Sequence, residues 1–129
     1  MTPAEVLKKF SRIAVVGMSP NSERASHYVS AYMIDAGYEI TGVNPGQTEI
    51  LGRPVFSKLS EIPGPLEIVD VFRASEYLMD IAKEAISLKA KVLWIQLDIS
   101  DPKAEALAEA AGLIVIRQKC IMVEHQKLA

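Results

Sequence analysis

Arg12-Ile13-Ala14-Val15-Val16-Gly17-Met18-Ser19-Pro20-Asn21-Ser22-Glu23-Arg24 is the stretch on which the fold turns. Four consecutive apolar residues, Ile13 to Val16, end at a glycine. An unbroken apolar run of that length reads as a strand covered on both faces, as in a parallel sheet, whereas a half-exposed strand would alternate. Small and polar residues follow, and then a helical period begins. Val29, Tyr32, Met33 and Ala36 recur at i, i+3, i+4 and i+7, with Ser26 placed to cap the helix and Gly37 to stop it. Strand, tight loop and helix make the first part of a βαβ unit.

The pattern repeats outward from that unit. Upstream, Thr2-Pro3-Ala4-Glu5 is a capping box with proline at the first helical position, and predicts a helix to about Phe10. Downstream, a strand over 38–43 is broken by Asn44-Pro45-Gly46. A short edge strand is expected at Pro54-Val55-Phe56, a turn of helix over 57–61, and a loop at Pro63-Gly64-Pro65. A strand over 66–72 leads into a long helix from about Ser75, with Leu78, Ile81, Ala82, Ala85 and Ile86 as its buried stripe. A strand over 91–96 precedes a helix opened by Asp101-Pro102 and stopped by Gly112. A last strand over 113–116 and a short closing helix over 120–128 complete the reading. Alternating strands and helices imply a single α/β domain over 1–129, doubly wound and Rossmann-like, with helices on both faces of a mostly parallel sheet. Right-handed crossovers then favour the strand order 3-2-1-4-5-6.

Composition agrees. The 129 residues are 50% hydrophobic and 23% charged, which suits one folded core. Lys and Arg total 14 against 16 Asp and Glu, and the net charge of −2 gives no general attraction to nucleic acid or an anionic membrane. The apolar runs are far shorter than the roughly 20 residues of a membrane span. With one cysteine, Cys120, no disulfide forms within the chain. That, and a start (Met1-Thr2-Pro3-Ala4-Glu5) without the pattern of a signal peptide, leads to an expected cytoplasmic location.

In an open α/β sheet, ligands bind where the strands end, near the reversal of strand order. The loop after the first strand offers Gly17, Ser19, Asn21 and Arg24, with Ser26 at the helix start. Backbone N–H groups at such a turn suit a phosphate, and Arg24 and Arg73 would add charge-assisted hydrogen bonds. A standard dinucleotide site is not expected. The second and third glycines of G-x-G-x-x-G are missing, and Asn44 stands where an acid would meet the ribose. A Walker loop is absent as well. Asp70, within a strand, reads as a buried, hydrogen-bonded residue.

Five blocks of sequence closely resemble the small stand-alone CoA-binding proteins. They are Ile13-Ala14-Val15-Val16-Gly17-Met18-Ser19-Pro20-Asn21, Val43-Asn44-Pro45-Gly46-Gln47-Thr48-Glu49-Ile50-Leu51-Gly52, Val69-Asp70-Val71-Phe72-Arg73, Trp94-Ile95-Gln96-Leu97 and Cys120-Ile121-Met122-Val123-Glu124-His125. That family is similar in fold to the CoA-binding domain of the succinyl-CoA synthetase α subunit. The resemblance implies coenzyme A as the ligand. Gly17, Ser19 and residues 21–24 would form the phosphate loop, and Val43, Asn44 and Pro45 would lie along the adenosine. Phe72 and Arg73 would border the nucleotide, and Ile95, Gln96 and Leu97 the adenine or pantetheine. Ala25 and Tyr28 depart from the family pattern, which has proline and arginine there in many relatives. No counterpart of the synthetases' phosphorylated histidine or ATP-grasp partner domain is present, so ligase activity is not implied, and no catalytic or metal-binding residue is assigned.

The expectation is a non-catalytic module that binds CoA or acyl-CoA, as a sensor, carrier or binding unit. Its expected partners are a further copy of the chain or a synthetase-like protein. Two alternatives stand beside it. One is an enzyme or accessory subunit acting on acyl-CoA or another nucleotide-linked substrate, for which Cys120 near the thiol end is the only feature. The other is an NAD(P)-linked regulatory domain.

Overall fold

In the computed structural model, which describes residues 1–128, Arg12–Val16 forms the central strand β1. Chain order continues through α2 (Ala25–Asp35), β2 (Glu39–Val43), β3 (Glu49–Ile50), β4 (Arg53–Phe56), β5 (Ile68–Val71), α3 (Leu78–Ser87), β6 (Val92–Ile95), α4 (Pro102–Ala110), β7 (Ile114–Ile116) and α5 (Ile121–Gln126), after an opening helix α1 (Pro3–Lys9). The capping box predicted for α1 is formed: Thr2 Oγ1 accepts from Glu5 N and Glu5 Oε1 accepts from Thr2 N. Gly37 stops α2 with φ +100°, where its N–H donates to Ile34 O and the Tyr38 N–H donates to Met33 O. This pair of bonds uses carbonyls the helix end would leave bare, and glycine takes the left-handed turn without a Cβ penalty.

The sheet order is β3-β4-β2-β1-β5-β6-β7. All pairs are parallel except β3 with β4. Apart from β3, this is the predicted order; β4, expected at the edge, is covered by β3 and lies one strand in. The two-residue β3 was not foreseen; it folds back on β4 through the turn at Leu51 and Gly52, both at positive φ. Helix α3 is preceded by a 3-10 turn at Ser75–Tyr77, so the long helix begins three residues later than expected.

Each face of the sheet has its own core. Leu78, Ile81, Ala82 and Ala85 of α3 and Ala104 and Ala108 of α4 pack with Ala14, Val16, Val69, Val71, Leu93 and Ile95. On the other face, Val6 and Leu7 of α1, Val29 and Met33 of α2, and Ile121 of α5 pack with Ile13, Val15, Ile68, Val92 and Trp94. Strands β5 and β6 are buried at every position, which is why they are unbroken apolar runs but for Asp70.

Candidate functional site

Parallel register decides which residues share the carboxyl edge. Val43 pairs with Val16, Val16 with Val71, and Val71 with Ile95. The next residue of each strand therefore forms a single row: Asn44, Gly17, Phe72 and Gln96. Hydrogen bonds carry the ladder into it, from Gly17 N to Val43 O (2.9 Å), Phe72 N to Val16 O (2.9 Å) and Asn44 N to Phe56 O (2.9 Å). Strand order reverses here, because β1 lies between β2 and β5 while the chain runs β1, β2, β5.

Gly17 is tightly held. Its φ is +91°, and a Cβ there would lie 2.8 Å from Phe72 O and 3.0 Å from Arg73 Cδ. Only glycine lets the first loop pass this close to the end of β5. Beyond it, Met18 is fully buried and anchors the loop against β2. Gly42 of β2 makes the room: a Cβ there would lie 2.8 Å from Met18 Sδ. Asn44 Nδ2 donates to Met18 O at 2.8 Å, tying the two loops together. Neither Met18 nor Gly42 was among the candidate residues, although a glycine inside a strand is a signal of close approach.

The loop braces itself with some of its amides and leaves others bare. Ser19 N donates to Ser26 Oγ (3.0 Å), Asn21 N to Ser19 Oγ (3.0 Å), and Glu23 N to Asn21 Oδ1 (3.0 Å). Arg24 N donates to Asn21 O. The N–H groups of Met18, Ser22, Ala25 and Ser26 have no hydrogen-bond partner among the described residues. Ser26 is not the helix cap that its position suggests. The cap position is Arg24, without a side-chain bond, and Ser26 is buried inside the first turn, where its hydroxyl holds the loop.

The remaining candidates divide by exposure. Arg24 is exposed and Arg73 half-buried, and neither forms an ion pair among the described residues. The Arg73 guanidinium lies over the Tyr77 ring, 4.1 Å from its centroid, an arrangement that orients it by cation–π attraction. Pro45 is exposed, Val43 is buried, and Phe72 is half-buried against the α1–α2–α5 core. Ile95 is wholly buried and offers only backbone, while Leu97 is 56% exposed. Gln96 is buried, and its Nε2 donates to Asp70 Oδ1 at 2.5 Å. Burial pushes the Asp70 carboxyl up to about 7, and the Gln96 bond acts in the opposite direction. Cys120 is half-buried at the start of α5. His125 is hydrogen-bonded through Nδ1 to Tyr32 Oη (2.8 Å) and packs edge-on against Tyr32 and Tyr38.

Residues 11–126 match the CoA binding domain family. The chain belongs to that family. The chain is similar to the uncharacterized protein YneT of Bacillus subtilis (strain 168), 46% identical over 121 residues, 94% of this chain and 90% of YneT. The solved structure of cell-free ID.343 from Thermus thermophilus superposes with a TM-score of 0.94 at 34% identity, over 100% of both chains. The CoA-binding-domain fold is also shared with the dinucleotide forming acetyl-coenzyme A synthetase 1 of Ca. Korarchaeum cryptofilum. There the TM-score is 0.76 at 18% identity, over 88% of this chain and 27% of the synthetase. No helix among the described residues is long and apolar enough to cross a membrane.

Proposed function

We propose that the chain binds coenzyme A or acyl-CoA at the carboxyl edge of its sheet, as a non-catalytic binding, sensor or carrier module. The observation that carries this reading is the loop over 17–26. It is braced by its own side chains, leaves the amides of Ser22, Ala25 and Ser26 without partners, and carries or adjoins two arginines, Arg24 and Arg73, that have no carboxylate partner among the described residues. Bare amides at a helix start, with flanking guanidinium groups, are what a diphosphate requires. The ligand's diphosphate would rest on Gly17, Ser19, Asn21, Arg24 and Ser26. Its adenosine would lie by Val43, Asn44, Pro45, Phe72 and Arg73, and its pantetheine would pass Ile95, Gln96 and Leu97. Family membership supports CoA over other nucleotides.

An enzymatic role for Cys120 gains no support, because His125, the nearest histidine in sequence, is engaged by Tyr32, and Glu124 is paired with Lys127. An NAD(P) site lacks the acid that would hold a ribose, and Asn44 is already tied to Met18 O. Titration calorimetry with CoA, ADP and NAD tests the assignment. The expected order is CoA tightest, ADP weaker and NAD without measurable heat. An absence of CoA binding at millimolar concentration would remove the reading.

A further inference from the structure

The carboxyl edge does not end at Gln96. Past it, a cleft of about 370 Å³ opens between the loops that follow β5, β6 and β7. Ser75 lines it from behind β5, Asp98 and Ser100 from behind β6, and Arg117 and Gln118 from behind β7. Two of these, Asp98 and Gln118, hold left-handed backbone, with φ +68° and +53°. The two positions brace each other: Asp98 N donates to Gln118 Oε1 at 3.0 Å, and Gln118 Nε2 donates to Ile99 O. Ser100 N donates to Ser75 Oγ at 2.9 Å. The loop over 98–100 is thus pinned from both sides, and the cleft is built in the protein as it stands.

Its charge is uneven. Arg117, the one cation in the lining, is taken by Glu105 (2.6 Å) and by Glu109, both on α4. The Asp98 side chain is exposed, with no hydrogen bond or ion pair among the described residues. A ligand group entering the cleft meets hydroxyl and carboxamide groups, one bare carboxylate and no free cation. Leu97, 56% exposed, joins Gln96 of that row to Asp98 of the cleft along the chain.

We propose that this cleft receives the acyl-thioester end of a CoA ligand and selects acyl groups with an uncharged end over those ending in a carboxylate. The inference rests on the CoA reading above. A ligand with its diphosphate on the loop after β1, extended along the edge past β5 and β6, comes next to the loops after β6 and β7. A second carboxylate there would face Asp98, and the ion pairs of Arg117 would have to break to receive it. Like charges a few ångströms apart, partly shielded by protein, repel enough to change affinity roughly tenfold.

Butyryl-CoA and succinyl-CoA have acyl chains of equal length and differ in a terminal methyl or carboxylate, so calorimetry with this pair and with free CoA is the test. The expected result is butyryl-CoA within threefold of CoA and succinyl-CoA roughly tenfold weaker. Asp98→Asn should close most of the gap between the two acyl-CoAs, and asparagine tolerates the left-handed backbone at that position. Raising the salt from about 0.02 to 0.5 M should narrow the gap in the unmodified protein, because exposed charges are screened. Equal affinities in the unmodified protein, or a gap that survives both the substitution and the salt, would overturn the inference while leaving the CoA reading intact. If none of the three ligands binds, the CoA reading fails, and this inference fails with it.

Discussion

Asp70 is 1% exposed in the middle of β5, between Val15 of β1 and Trp94 of β6. Its carboxyl is pushed up to about 7 by burial, against the opposing bond from Gln96. Between pH 4 and pH 7 the folded chain therefore keeps a proton that the unfolded chain has released. The stability this group contributes is complete below about pH 4, falls as the pH rises to 7, and is constant above. Asp70→Asn does not titrate. Relative to the parent it should gain up to about 4 kcal/mol between pH 4 and pH 8. Urea unfolding of both proteins at the two pH values measures the difference, and a gap independent of pH would show that the carboxyl is not buried in solution. Arg73 carries a different expectation. Its guanidinium is oriented by Tyr77 and forms no ion pair among the described residues, so Arg73→Ala should weaken CoA at least tenfold and adenosine little. Equal losses for both ligands would place Arg73 away from the phosphates. At this scale, sequence reasoning anticipated the buried, bonded state of Asp70, since a lone acid in an apolar run needs a partner. It misjudged Ser26, because a serine at a helix start looks the same whether its hydroxyl caps the helix or turns back to hold a loop.

Strands and helices were legible for a simple reason. Buried parallel strands are continuous apolar runs, α2, α3 and α4 have stripes at 3.6-residue spacing, and α1, α2 and α4 are marked by Thr2, Gly37 and Asp101 at an end. The antiparallel β3 was not legible, because two residues carry no periodicity. The contact between the first loop and β2 was equally hidden, since it depends on Met18 meeting Gly42 across a gap of 24 positions in the chain. Gly42→Ala tests that contact. The added methyl would lie 2.8 Å from Met18 Sδ and 2.9 Å from Val55 Cγ2. Such overpacking is expected to cost about 1–3 kcal/mol in unfolding free energy. Met18 would shift and carry the loop with it, so CoA affinity should fall as well, which calorimetry reads directly. Full affinity in a destabilised Gly42→Ala protein would separate the anchor from the site.

As a whole, the molecule has a small net charge, two apolar cores and one edge where the parallel topology gathers loops from β1, β2, β5, β6 and β7. Ligand binding at that edge should be felt by the entire fold. CoA at 100 times its dissociation constant is expected to raise the unfolding free energy by about 2.7 kcal/mol. A thermal melt with and without CoA reads this as a rise of several degrees, and an unchanged midpoint at millimolar CoA would contradict specific binding. The far side of the sheet has a separate consequence. Its last strand, β3, is two residues long and runs against its neighbour, and Pro54 of β4 has no N–H to donate. A stray strand from another molecule finds too short a template there to zip onto. The hairpin thus acts as a stopper against fibrillar growth at that edge, which leaves the chain free to keep buried apolar strands, interrupted within only by Asp70, at its centre.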